Sequence, residues 1–489
     1  MIALHKLYNN ACSLNMKLKD DQSKLANTLD GAGDWRKQEA NRLTDLVQRR
    51  LEYLRNPADC DKAKKIFCNL DKDCGYGCQL HHVTYCLIMA YATQRTLILQ
   101  SEGWRYSSKG WESVFLPLSK TCRSPAVRTP QDGDLTNSMT DDSQVIELPI
   151  LDMLSPRPRF LPLALPEDLA DRLTRVHCDP AAWWVGQCVT YLTRPNEMLQ
   201  ELLDESKQNL GFTNPVVGVH VRRTDNVIKE ALVHSVDDYM RHVDEWFDIY
   251  EKQHSGVQRK VYLASDDPGV LPEAKKKALC PFFVRRVAAA LAPSIPFIST
   301  IRGCLLCSPM RWLVLIGFLL NFPLCWVSIT FSTSSSATYP HFIFVSDYEV
   351  SKTASLGSCY TDASLCGVIL DTYLLSRCDY LVCTFSSQVC RVAYELMQPL
   401  HGDASERFKS LDDIYYFGGK NAHNWLAVEN HQSRREGDIS FNAGDTVGVA
   451  GNYWDGYSNG KNTKTGKSGL FPSYKTVNKI DLVKMPTYP

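Results

Sequence analysis

Four short runs rich in apolar and β-branched residues, 216–221, 260–264, 342–345 and 380–384, alternate with helical patterns such as 236–250 and 391–397. Alternation of this kind joins parallel strands through helical crossovers, so it predicts a doubly wound parallel sheet. Ligands of such sheets bind beyond the carboxyl ends of the strands. By position alone, the candidates are Arg222 and Arg223 after the first run, Asp266 and Asp267 after the second, and Ser386, Ser387 and Gln388 after the fourth.

The first of these tips is the most informative. Gly218-Val219-His220-Val221-Arg222-Arg223-Thr224-Asp225 delivers two adjacent guanidinium groups from a rigid apolar mount. Arginine presents a planar fork of donors that fits phosphate oxygens and stays charged, so the pair can seize a diphosphate, which points to a nucleotide-sugar enzyme. A bare Arg-Arg also occurs as a surface pair closing a buried strand, so the surrounding residues must decide. Breaking a glycosidic bond to a diphosphate builds negative charge on the leaving oxygen, and preplaced cations lower that barrier. No Asp-x-Asp follows a strand in this half of the chain, as expected of a site working without a divalent metal.

Lys plus Arg equals Asp plus Glu at 54 each, which excludes a global field for nucleic acid and makes any anion site local. The 489 residues suggest about three domains. Eighteen cysteines, crowded at 60, 68, 74, 78, 86 and 122, suggest a stapled module from an oxidising lumen. Zinc is the competing reading, because Cys74 and Cys78 are followed by His81 and His82. The glycines at 75 and 77 suit a tight disulfide loop and no second CxxC follows, so disulfides are the favoured reading.

Along the chain, Leu43, Leu46, Val47, Leu51 and Leu54 mark an amphipathic helical arm within 1–55. Residues 56–214 mix short apolar runs and helical patterns and read as an open α/β domain. The doubly wound domain is expected over 215–420. Segment 278–338 interrupts its alternation, and within it 312–331 carries no charge, a length that could span a bilayer. A span there would put Arg222 and Ser387 on opposite sides of a membrane, so an atypical apolar insertion such as translated intron is the better reading. Residues 1–15 lack the pattern of a signal peptide, so a luminal enzyme would need an anchor upstream. Over 421–482, turn signals at Gly444-Asp445 and Asp455-Gly456 and the ending Gly469-Leu470-Phe471-Pro472-Ser473-Tyr474 indicate a small SH3-like barrel, with strands around 426–430 and 437–441. The early strand Leu426-Ala427-Val428-Glu429-Asn430 lacks the tyrosines of a proline-rich peptide groove.

Taken in order, the stapled cysteines, His220-Val221-Arg222-Arg223-Thr224-Asp225, Asp266-Asp267-Pro268, Gly367-Val368-Ile369-Leu370-Asp371, Cys383-Thr384-Phe385-Ser386-Ser387-Gln388-Val389-Cys390 and a terminal SH3 barrel resemble the animal α1,6-fucosyltransferases of N-glycan cores. The resemblance covers residues 19–277 and 339 onward. It implies a GT-B-like α/β transferase, with an open α/β domain beside a Rossmann-like one, that moves L-fucose from GDP-fucose to O6 of the Asn-linked N-acetylglucosamine. Inversion, metal independence, glycoprotein acceptors, a Golgi membrane location with a luminal catalytic part, and a homodimer through the arm and SH3 domain are implied with it. Glu230 would be the base, with Arg222 and Asp225 also catalytic. His220, Arg222, Arg223, Tyr106, Asp371, Ser387 and Gln388 would bind the donor: Arg222, Ser387 and Gln388 at the β-phosphate, and Asp371 and His220 at the guanine. Tyr239, Asp266 and Asp267 would brace the site. The implied disulfides are Cys60–Cys122, Cys68–Cys86, Cys74–Cys78 and Cys383–Cys390. Read alone, Glu230 could be a solvated helix-start residue, Asp371 a helix cap, His220 a core histidine, and 386–388 an N-cap run.

The chain departs from the family at Asn226, where the resemblance expects lysine, at Tyr453, where it expects histidine, and at Cys359 and Cys366, which replace arginines. These departures and the insertion carry the alternative reading, a non-catalytic relative that binds glycans or partners.

Overall fold

The computed structural model describes residues 32–123, 131–132, 143–154, 157–223, 234–276, 341–354, 359–418, 424–452 and 456–489. The chain divides into two compact units, residues 1–270 with 342–489, and residues 271–341. The first unit carries everything that follows except part of one short helix.

Helix α1 (Ala32–Arg55) forms the described part of the arm expected over 1–55, and residues 1–31 lie outside the described residues. Its apolar stripe, Leu43, Val47, Leu51 and Leu54, is buried, and full burial of such a side chain is worth about 1.5–3 kcal/mol. Polar links pin the same helix: Gln48 donates to the Gln187 carbonyl at 2.9 Å, and Arg50 pairs with Asp168 at 2.6 Å. The arm therefore packs on its own chain.

Strand β1 (Lys65–Asn69), helix α2 (Tyr76–Ala92), β2 (Thr96–Gln100), β3 (Gln131–Asp132) and β4 (Val145–Glu147) build a sheet in the order β2-β1-β4-β3, every pair parallel. Helix α2 is buried almost all round, as a helix apolar on every face must be. Next come β5 (Ala164–Pro166), α3 (Glu167–Val176), α4 (Pro180–Leu192) and α5 (Glu197–Asn209). Asp179 caps α4 by accepting from the Ala182 amide, with Pro180 in its first turn.

The second parallel sheet contains β6 (Val217–Val221), β7 (Arg259–Ser265), β8 (Phe342–Val345), β9 (Tyr380–Cys383) and β10 (Phe408–Ser410), in the order β10-β9-β6-β7-β8. Its helices are α6 (Val236–Tyr250), α7 (Val270–Lys276), α8 (Tyr348–Thr353), α9 (Asp362–Leu375) and α10 (Gln388–His401). A capping box between Ser235 and Asp238 starts α6, which has the bounds read from the sequence. From β6 the chain runs outward to β8 and then returns to the other side of β6 at β9. That reversal makes the β6–β9 boundary the topological switch point, the place beyond whose strand ends ligands of doubly wound sheets bind. The doubly wound expectation holds, with β10 as an additional short edge strand.

The last module is an antiparallel sheet of β11 (Asn424–Ala427), β12 (Thr446–Asn452), β13 (Tyr457–Asn462), β14 (Ser468–Pro472) and β15 (Thr476–Asn478) in the order β14-β13-β12-β11-β15. Ala427, Ile439, Phe441, Val447, Val449 and Phe471 form its separate core with Ile414. Residues 437–441, expected to contribute a strand, form only isolated bridges, Asp438 with Leu470 and Phe441 with His431. The positive φ of +88° at Gly437 breaks the pleat there. Beyond the barrel, β16 (Asp481–Val483) pairs in parallel with β5.

Among the described residues, four disulfides join Cys60 to Cys122, Cys68 to Cys86, Cys74 to Cys78 and Cys383 to Cys390, the pairs implied by the resemblance. Among the described residues, no helix is long and apolar enough to cross a membrane. The apolar stretch 312–331 lies outside them, as does almost all of 278–338.

Candidate functional site

The switch point gathers the two tips singled out in the sequence. Strands β6 and β9 are neighbours, with Val219 opposite Val382, so the turns after Val221 and Cys383 lie side by side. At the first tip His220 is buried, and its Nδ1 has no hydrogen-bond partner among the described residues. Burial pushes the His220 imidazole down to about 4, with the Arg222 charge acting the same way against Asp266, so the ring is neutral at neutral pH. Arg222 is half-buried and close enough to Arg391 for their charges to oppose each other.

The acidic pair after β7 shapes this tip. Arg223 donates its amide to Asp266 Oδ1 at 2.8 Å, and its guanidinium lies 3.7 Å from Asp267. Ser265 Oγ donates to the Val221 carbonyl at 2.7 Å and receives the Asp267 amide at 3.1 Å. Asp267 in turn accepts from the Gly269 amide at 2.8 Å. Asp266 and Asp267 therefore hold the ends of β6 and β7 in register.

At the second tip the backbone turns sharply into α10. Ser387 occupies the N-cap position, yet its side chain makes no capping bond, and its Oγ is buried without a partner among the described residues. An N-cap run expects that hydroxyl to accept from the first turn. It stands at a helix N-terminus, where amides and the helix dipole favour negative charge, and can donate a hydrogen bond. The preceding amides are spoken for: Phe385 and Ser386 donate to Asp412 at 2.8 and 3.3 Å. Asp412 follows β10 and was not foreseen. Tyr239 of α6 is buried, and its hydroxyl bonds Thr384 in the same turn.

The remaining donor candidates form the surroundings. Asp371 lies on α9 and accepts from the Tyr262 hydroxyl at 2.6 Å. Protein packed round its carboxyl raises it to about 7, the Asp347 charge adds to the rise, and the Tyr262 bond opposes it. Tyr106 is buried; its hydroxyl accepts from the Tyr76 amide at 2.9 Å, supplying the cap that Gly75 cannot give α2. The Tyr106 ring packs against Tyr360 at 5.2 Å, beside Cys359. Gln388, the first residue of α10, meets His81 of α2, with Oε1 2.6 Å from Nδ1. Glu230, Asp225, Asn226 and Tyr453 lie outside the described residues.

Of the two histidines weighed as zinc ligands, His81 faces Gln388 and Glu395. His82 has Nε2 3.0 Å from the Asn69 carbonyl and accepts the Leu151 amide at Nδ1 at 3.4 Å. His82 Nε2 also lies 3.8 Å from Cys68 Sγ, and the Cys68–Cys86 disulfide occupies the sulfurs of that cluster.

Two family models match this chain. That for the alpha-(1,6)-fucosyltransferase N- and catalytic domains covers residues 3–281 and 330–416, and that for a variant SH3 domain covers 427–476. The gap between the two catalytic stretches falls inside the segment read as an insertion. An alpha-(1,6)-fucosyltransferase of Drosophila melanogaster is 47% identical over 463 residues, 94% of this chain and 64% of the relative. One of Caenorhabditis elegans is 40% identical over 454 residues, 92% of this chain and 70% of the relative. The chain thus spans about two thirds of the length of these relatives, and by the extent of the match it belongs to the alpha-(1,6)-fucosyltransferase family.

Proposed function

We propose that the chain transfers L-fucose from GDP-fucose to O6 of the innermost N-acetylglucosamine of N-glycans on glycoprotein acceptors. The observation that carries this reading is a pair of buried polar atoms at neighbouring strand tips, Ser387 Oγ and His220 Nδ1, that have no hydrogen-bond partner among the described residues, with the Arg222 charge close to His220. Arg222, Ser387 and Gln388 hold the β-phosphate, and Arg223 braces the turn. As the bond from the anomeric carbon to the phosphate oxygen breaks, charge grows on GDP where these donors already stand, so no divalent metal is required. Glu230 accepts the O6 proton as that oxygen attacks from the opposite face, which inverts the anomeric centre. Asp225 supports the reacting region, and Asp371 and His220 meet the guanine. The four disulfides suit an oxidising lumen, and with the family they support a Golgi location with the catalytic part luminal. Homodimerisation through the arm and the barrel completes the reading.

The test is transfer of labelled fucose to a biantennary glycopeptide ending in N-acetylglucosamine, using the protein with residues 278–338 deleted. Intact GDP binding without transfer would reject the enzyme reading. The alternative, a glycan- or partner-binding relative, is favoured by Asn226, which leaves out a cation next to the phosphate. Restoring Asn226→Lys separates the two: a large rate gain marks a weakened enzyme, and no turnover in either form marks a binder.

A further inference from the structure

His81 lies between the stapled domain and the first turns of α10, with both ring nitrogens engaged by that helix. Its Nδ1 is 2.6 Å from Gln388 Oε1, and its Nε2 is 2.9 Å from each oxygen of Glu395. The Tyr415 hydroxyl donates to Glu395 Oε1 at 2.7 Å. His81 and Glu395 are 2% and 0% exposed, and the edge of the Phe417 ring closes over the imidazole at 5.3 Å. Gln388 and Glu395 sit two turns apart on one face of α10, and His81 bridges them. Gly77, one turn earlier on α2, permits the approach: a Cβ there would stand 2.8 Å from the Gln388 Cβ.

The chemistry of the partners fixes the direction of each bond. A carboxylate only accepts, so Nε2 donates to Glu395; an amide oxygen only accepts, so Nδ1 donates to Gln388. With its oxygen committed to His81, the Gln388 amide presents its N–H groups on the side away from that ring. Were the amide reversed, its oxygen would face the phosphate, acceptor against acceptor.

We propose that His81, clamped by Glu395, is a positioning residue that orients the Gln388 amide so that its N–H donors face the diphosphate. The proposal rests on the reading of Gln388 as a donor contact. It assigns a part in the donor site to a buried hydrogen-bonded pair, His81 and Glu395, and it makes the seam between α2 and α10 part of the donor-binding machinery.

The experiment is a double-mutant cycle on the full chain, with GDP affinity measured by titration calorimetry. His81→Ala should weaken GDP about tenfold, the loss of one charge-assisted contact, and Gln388→Ala by a similar factor. The double variant should be no weaker than Gln388→Ala alone, and the KM for the acceptor should stay unchanged in all three. Gln388→Glu guards against misfolding of the alanine variants, because it keeps the acceptor toward His81 and removes the N–H donors. It should hold or raise the melting temperature while losing at least tenfold in GDP affinity. Additive effects in the cycle, or full GDP affinity in Gln388→Glu, would overturn the proposal while leaving the donor site standing. A wild-type chain that does not bind GDP would overturn the donor reading and the proposal together.

Discussion

The hydroxyl of Tyr262, a fully buried residue of β7, donates to Asp371 of α9 at 2.6 Å and ties the sheet to the helix that flanks its switch point. Asp371 is held at about 7, because burial disfavours its charge. In the free protein its contribution to stability is full below the unfolded value near 3.8 and disappears as pH rises through about 7.

If Asp371 meets guanine, the N1–H and N2–H groups of the base favour the carboxylate, so binding must expel a proton. GDP titrations near pH 6, run in buffers of different ionisation enthalpy, should show release of a fraction of a proton. In Asp371→Asn that release should vanish, with GDP weakened about tenfold or more. Absence of proton linkage in the wild type would remove Asp371 from the base site.

Asp412 holds the turn that presents Ser387. Asp412→Ala strands the Ser386 amide and leaves the Phe385 amide only the Ser410 hydroxyl, 3.2 Å away, at about 1–3 kcal/mol for a donor left unsatisfied. The expected outcome is a lower denaturation midpoint together with a raised KM for GDP-fucose. Asp412→Asn keeps one acceptor oxygen and should show a smaller change in both.

Gly186 of α4 faces the backbone of α10 so closely that an added methyl would collide with the Glu395 carbonyl and crowd the Pro399 ring. Gly186→Ala should cost about 1–3 kcal/mol by overpacking. Chemical denaturation checks the size of the effect. A neutral result would show that α10 can slide.

Three buried histidines, His82, His177 and His220, are each pushed down to about 4, chiefly by burial. Each prefers to be neutral when folded, so its contribution is present above about 6.5 and is lost as pH falls toward 4, on the order of 3 kcal/mol per residue. Unfolding free energy should drop steeply between pH 6.5 and 4. The drop should be shallower in His177→Gln, which has nothing to protonate.

The sequence exposed most of the site-bearing sheet because its strands are short apolar runs ending in charge. Helix α6 was read to its true ends because the Ser235–Asp238 box and the apolar spacing act locally. Helix α10 was read from Arg391, with 386–388 weighed as an N-cap run; the helix begins at Gln388 after an N-cap at Ser387, whose hydroxyl makes no capping bond. Strand β10 has three residues and no periodicity to detect. His81 and Glu395 are 314 residues apart and meet only through packing, so no spacing could link them. Asp412 escaped notice for the same reason: a carboxylate in a loop says nothing about which amides it will accept.

The pairing of β16 with β5 gives the SH3 barrel a second mooring. The chain leaves the Rossmann-like domain, forms the barrel, and is stitched back onto the stapled domain, where Tyr488 donates its hydroxyl to the Tyr91 carbonyl. A module attached at one end swings like a pendant; this one is buckled at both. Cutting the chain after Asn478 would turn a fixed buttress into a loose appendage, although every residue of the barrel's own sheet would still be there.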